Sequence, residues 1–169
     1  DIGTLREKAL ERAHAQLKEQ LARRALLIIQ CIKAFDAVEK SSTILLERAG
    51  GWSRVASEPS DAEQAASFGC SVREFAKKKE KIMESLEKLM DAEAPNIHAV
   101  CGTILGAKLI EAAGSLEKLS SLPASTVQVL GAETAFFAHL RKKVRPPKHG
   151  IIFIHPAVSD AEKESRGKI

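Results

Sequence analysis

The 169 residues include no tyrosine, one tryptophan and six phenylalanines, so aromatic side chains make up 4% of the chain. Modules that read single-stranded nucleic acid on a platform of stacked rings need more than that. Cysteine is scarce as well. Cys31, Cys70 and Cys101 lie far apart and are odd in number, which argues against a disulfide framework and suits a reducing compartment. No uncharged run reaches the roughly 18 residues that a spanning helix needs. The longest runs, Asn96–Ala107 and Leu119–Ala132, are broken by polar residues or Pro123, so no membrane association is expected. The first residues carry no basic segment leading into an apolar one, and secretion gains no support. Walker loops, dinucleotide fingerprints and Gly-x-Ser-x-Gly turns are missing. The formal charge is only +4, so a nucleic-acid role would have to rest on local clustering.

What remains is helical. With 44% hydrophobic residues the chain can bury a core. Residues 5–48 predict one long helix, opened by a Thr4/Glu7 capping box and ended by Gly50-Gly51. Leu10, Leu17, Leu21, Ile28, Cys31, Phe35, Val38 and Leu45 fall along one seam, and between Ala25 and Ile32 apolar residues spread round the helix. Residues 50–70 read as a linker, with Pro59 and Gly69 as breakers. A second helix follows over 71–91, capped by Ser71/Glu74, and packs antiparallel on the first, leaving part of it uncovered. After Pro95 the expected elements are a helix from Asn96 to Ala113 ended by Gly114, pieces near Leu116–Ser120 and Ser125–Leu130, a helix over Ala132–Lys142, and the start of one more at Ser159/Glu162. Arg145-Pro146-Pro147-Lys148-His149-Gly150 cannot be helical. The apolar run Ile151–Ile154 is extended or buried. The fold class is thus all-α: a long helical hairpin (residues 1–93, linker 50–70) plus a compact helical domain (residues 94–169) whose ends read as cuts through something longer.

The window Thr134–Ser159 holds Arg141, Lys142, Lys143, Arg145 and Lys148 with no Asp or Glu, a charge of +5 that leaves the rest of the chain near neutral. Such clustering beside a stiff double proline suits phosphate contacts. A solvated basic helix end, favoured by the macrodipole, explains the same residues equally well. The Lys77–Lys81 run lies among acids and reads as an exposed face. His98 and Cys101 sit one turn apart, but no further ligands fall at zinc spacing, and His149 and His155 also lack companions, so no metal site is expected. No catalytic residue and no cofactor is indicated.

Several blocks carry a resemblance. They are Ala94-Pro95-Asn96, Ala107-Lys108-Leu109-Ile110, Ala113-Gly114-Ser115-Leu116, Leu122 through Glu133, Pro146 through Phe153, His155-Pro156 and Arg166-Gly167-Lys168-Ile169, with Leu26 through Gln30 upstream. Together they resemble the Nop domain family, which includes the scaffold proteins of box C/D ribonucleoproteins and a spliceosomal pre-mRNA processing factor; the Pro-Pro-Lys-His-Gly form looks archaeal. The resemblance implies a helical scaffold, not an enzyme, that clamps a kink-turn RNA already bound by a small ribosomal-type protein, in a guide complex for 2′-O-methylation. Carried over, Gly131, Ala132, Glu133 and Thr134 lie at the RNA contact. Arg141, Lys142, Lys143, Arg145 and Lys148 meet phosphates there, and His149 and His155 shape the loop or touch RNA. The family's usual Lys is Thr134 here, and its usual Gln is Ile154. The fibrillarin methyltransferase would join only through a domain outside these residues. A homodimer through the arm is the weaker expectation, because the tip at 50–70 is short. The compartment implied is cytoplasmic for an archaeal-type protein and nucleolar for a eukaryotic one. The rival reading is a helical interaction module that assembles through the Leu10–Leu45 stripe and binds no RNA. An enzyme would need His149 or His155 beside a carboxylate, for which Glu133 is the candidate.

Overall fold

In the computed structural model of the chain, residues 2–142, 144–163 and 165–166 are described, without the side chains of residues 2 and 20–23. The elements are α1 (Ile2–Val55), α2 (Pro59–Glu93), α3 (Pro95–Ala113), α4 (Leu116–Ser121), α5 (Ala124–Val129), α6 (Glu133–Lys142), a 3-10 turn (Ile151–Ile154) and α7 (Pro156–Ser159). Every regular element among the described residues is helical, as the composition and periodicity predict.

Helix boundaries depart from expectation where single residues were read as stops. α1 passes through Gly50-Gly51 to Val55, and α2 starts at Pro59 and passes through Gly69. Only residues 56–58 of the expected 50–70 linker are non-helical. A glycine inside a helix costs only about 1 kcal/mol, which packing can offset. Proline is at home in the first helical position, where its missing N–H has no partner to lose. The Thr4/Glu7 and Ser71/Glu74 pairs lie inside helices and start neither. α3 starts one residue before Asn96, with Pro95 in its first turn and Ala94 as N-cap without a side-chain bond. The chain turns irregularly after Ser159 instead of opening a helix.

Contacts gather into two units, residues 30–88 and residues 1–29 with 89–169.

Residues 30–88 form an antiparallel hairpin. Trp52 lies 5.9 Å from Phe68 near its turn. Further from the turn, Lys79 Nζ sits 2.6 Å from Glu39 and 4.9 Å from the Phe35 ring centre. Ile32, Phe35, Ala65, Val72 and Leu86 are buried, whereas Cys31, Val38 and Leu45 of the seam are half-buried.

In the other unit the core is built from Ala25, Ile28 and Ile29 of α1, Met90 of α2, the N-cap Ala94, Leu105, Ala107, Leu109 and Ile110 of α3, and Leu119 of α4. Ala25, Ile28 and Ile29 form one buried stripe while Leu26 and Leu27 are exposed, so the apolar residues that spread round α1 here are buried on one side only. Glu93, whose side chain is nearly buried, accepts from the Arg24 guanidinium at 2.5 Å, which pushes the arginine's pKa up. Earlier seam positions are bare: Leu10 and Leu17 are exposed, and the Leu21 side chain lies outside the described residues. Gly102 (φ 72°) kinks α3, and His98 spans the kink with one ring nitrogen 2.5 Å from Asp91 and the other 2.9 Å from the Thr103 hydroxyl. Gly106 lets the helices close, because a Cβ there would fall 2.7 Å from Met90. Gly114 ends α3 in the left-handed conformation, its N–H bonded to the Ile110 and Glu111 carbonyls.

Candidate nucleic-acid interface

The two most specific blocks of the family resemblance are Gly131-Ala132-Glu133 and Pro147 to Pro156, and Gly131 of the first packs against Ile151 of the second. α5 ends at Val129 and the chain reverses through Gly131, whose φ of 82° is open to glycine at little cost. A Cβ on Gly131 would also lie 2.3 Å from Ile151 Cγ1. From the other side, a Cβ on Gly150 would lie 1.9 Å from the Leu130 carbonyl oxygen, which is backbone and cannot swing away. Backbone bonds close the contact: Gly150 N–H donates to Gln128 O at 2.7 Å and Ile151 N–H to Leu130 O at 2.8 Å. The Gln128 side-chain amide adds a bond to the Lys148 carbonyl at 2.9 Å. Gln128 thus holds both ends of Lys148–Gly150, and the loop after the double proline has a fixed root.

α6 leaves this turn with Glu133 in its first turn. The Glu133 carboxylate accepts from Gly131 N–H at 2.8 Å, so a negative charge already occupies the helix end that the resemblance offers to phosphate. Thr134 is exposed and Ala132 half-buried.

Arg141 and Lys142 lie in the last turn of α6, where cations suit the dipole. His139 Nδ1 bonds the Val144 carbonyl just beyond and ties down the outgoing chain. Arg145 and Lys148 follow on the loop; all four cations are exposed, and none forms an ion pair with a described carboxylate. Lys143 lies outside the described residues. On the same helix Phe136, Phe137 and Leu140 are exposed.

The histidines are structural pieces of the loop. His149 stacks on Phe153 with ring centres 6.2 Å apart, and its Nδ1 is buried without a hydrogen-bond partner among the described residues. His155 caps α7, its Nδ1 accepting from Ala157 N–H at 3.2 Å. Neither lies in a hydrogen bond with Glu133, so the acid–base pair that an enzyme would need is not assembled there. His98 spends its nitrogens on Asp91 and Thr103, not on a site shared with Cys101, whose thiol is pushed up by burial. Among the described residues no three metal-ligating side chains come together, and no helix is long and apolar enough to cross a membrane.

The sequence reading passed over Lys163 and Arg166 as site residues. Both line a cavity of about 580 Å³ together with Gln128, Val129, Pro147, Lys148 and His149. The guanidinium of Arg166 donates to the Ala161 and Ser159 carbonyls at 2.9 Å each and lies 5.2 Å from the Phe153 ring centre. In the sequence Lys163 and Arg166 lie among Asp160, Glu162 and Glu164, so no acid-free basic window marks them. A second cavity of about 550 Å³ lies beside Leu17, Ala25, Ile28 and Leu116.

Comparison with known proteins bears on the family and the fold. A family model described as Nop, snoRNA binding domain, fibrillarin, matches residues 9–169. An uncharacterized NOP5 family protein of Methanocaldococcus jannaschii is 50% identical over 112 residues, 66% of this chain and 27% of that protein. Nucleolar protein 58 of Debaryomyces hansenii is 33% identical over 161 residues, 90% of this chain and 31% of that protein. A crystal structure of a fibrillarin/Nop5p complex contains a chain that superposes with a TM-score of 0.72 at 30% identity, covering 97% of this chain and 61% of that one. The chain spans about a third or less of the curated relatives it matches.

Proposed function

This chain belongs to the Nop family, and from that premise we propose that it is an RNA-binding ribonucleoprotein scaffold without catalytic chemistry of its own. Residues 94–169 meet the RNA and residues 1–93 serve as the helical arm. The target is a kink-turn of box C/D type already carrying a small ribosomal-type protein, in a guide complex for 2′-O-methylation. Fibrillarin enters the complex through regions beyond this chain. The observation that carries the reading is the set Arg141, Lys142, Arg145 and Lys148. All are exposed and without ion pairs among the described residues, beside a loop root that Gln128, Gly131 and Gly150 hold in one geometry. Cations on a fixed frame position an RNA backbone without reading bases, and shape supplies the specificity. The Gly131–Thr134 segment then acts through the turn it builds, with Lys143 adding to the basic edge and His149 and His155 holding the loop that presents it. The archaeal relative suggests a cytoplasmic setting, and the yeast relatives a nucleolar one for eukaryotic members.

A salt series on a gel shift with kink-turn RNA, with and without the small protein, tests this. Four phosphate contacts should give a log–log slope of about −3, and Lys142→Glu with Arg145→Glu should flatten it by about 1.5. A salt-independent association, or none in either condition, favours the second reading, a helical interaction module. The exposed leucines Leu5, Leu10 and Leu17 on α1 support that alternative.

A further inference from the structure

Of the residues that line the cavity beside the 147–149 loop, the family resemblance assigns Lys148 and His149 to the RNA contact and leaves Lys163 and Arg166 without a role. Lys148, Lys163 and Arg166 line it together, and none of the three forms an ion pair with a carboxylate among the described residues. Three cations that line one cavity, none of them paired with a described carboxylate, make a setting that an anion stabilises. Arg166 is moreover not a mobile surface side chain. Two backbone carbonyls hold its guanidinium from one side and Phe153 lies against it. Its charge therefore stands in place before any ligand arrives, and little side-chain entropy is left to lose on binding. Both carbonyls are neutral, so the bonds that fix the guanidinium leave its charge uncancelled. Pro147 contributes a rigid apolar wall, and the Gln128 side chain holds the backbone of the adjacent Lys148.

We propose that this cavity seats one phosphodiester of the bound RNA, with Lys148 and Lys163 as its ligands and Arg166 as the fixed charge behind them. About 580 Å³ is far more than a lone phosphate fills and leaves room for the flanking sugars of a continuing strand. Lys148 is shared between this cavity and the basic loop that begins at Arg145, so a strand could pass from one to the other. The inference rests on the RNA-binding reading above and adds Lys163 and Arg166 to it.

The test is a walk of single methylphosphonate linkages, each neutral, along kink-turn RNA, with affinity measured for the whole chain in its complex with the small protein. In the wild type one linkage should cost about tenfold on neutralisation. The same linkage should cost Lys163→Gln less than about twofold, while Lys163→Arg keeps the wild-type penalty. Lys163→Gln should also lower the salt slope by about 0.8. Lys163 is exposed, so its melting temperature should not move. Equal penalties in wild type and Lys163→Gln at every linkage would overturn this inference and leave RNA binding intact. Pyrophosphate bound in a Lys163-dependent manner, with no coupled RNA linkage, would also overturn it and make the cavity a small-anion site. If the wild type binds no RNA at all, both readings fall together.

Discussion

Helices α3 and α6 belong to the same unit and spend their side chains in opposite ways. α3 buries Thr103, Leu105, Gly106, Ala107, Leu109 and Ile110, whereas α6 buries no residue and leaves Phe136, Phe137 and Leu140 open to solvent beside Arg141 and Lys142. Apolar surface that folding does not use, next to cations that no described acid neutralises, is what a helix retains when its partner is another molecule. The stability of the unit is thus carried by elements away from the loop, and the α6 edge is free to be shaped by contact.

The strongest way to break that contrast is to truncate one large side chain in each helix. Ile110→Ala empties a fully buried site and should cost about 2–5 kcal/mol. Phe137→Ala should change stability by no more than about 0.5 kcal/mol. Denaturant titration of both variants checks this, and similar losses would show that α6 belongs to the core after all. A smaller effect is expected at the seam between the two motif blocks. Gly150→Ala drives a Cβ into the Leu130 carbonyl and should cost about 1–3 kcal/mol. Its RNA affinity, measured well below the melting temperature, should fall further than Phe137→Ala lowers it. Unchanged affinity in a folded Gly150→Ala protein would mean that the rigid root does not matter for binding. The mildest test concerns thiols. Cys101 lies in α3, where burial pushes its thiol up, and Cys70 is exposed on α2. At pH 8 iodoacetamide should label Cys70 well before Cys101, because thiolate is the reacting species. Equal labelling by mass spectrometry would show that the start of α3 opens readily.

Much of this layout is legible in the residues. The period of the apolar positions finds the paired helices, and Gly114 is identified as a helix stop because a left-handed residue is needed there. Pro146-Pro147 is identified as non-helical for equally local reasons. The errors share a cause. Gly50-Gly51, Pro59 and Gly69 are stops by their own preferences, while the pairing of Trp52 with Phe68 and of Lys79 with Glu39 and Phe35 spans 16 to 44 positions and outweighs them. The kink at Gly102 falls in a helical apolar pattern and leaves no trace in periodicity. At the candidate interface the cations are visible by counting. The contact of Gly131 with Ile151, the double hold of Gln128 and the cavity reaching Lys163 and Arg166 are not, because each joins residues 14 to 38 positions apart through backbone placement.

The turn at residues 56–58 offers a practical handle. Its three residues are the whole interval between two long helices, and Ser57 at its centre is exposed, its hydroxyl donating to the nearby Val55 carbonyl. Backbone with so few obligations accepts insertions and labels readily. A fluorophore or affinity tag placed at Ser57 would report on the protein while leaving the basic loop chemically untouched.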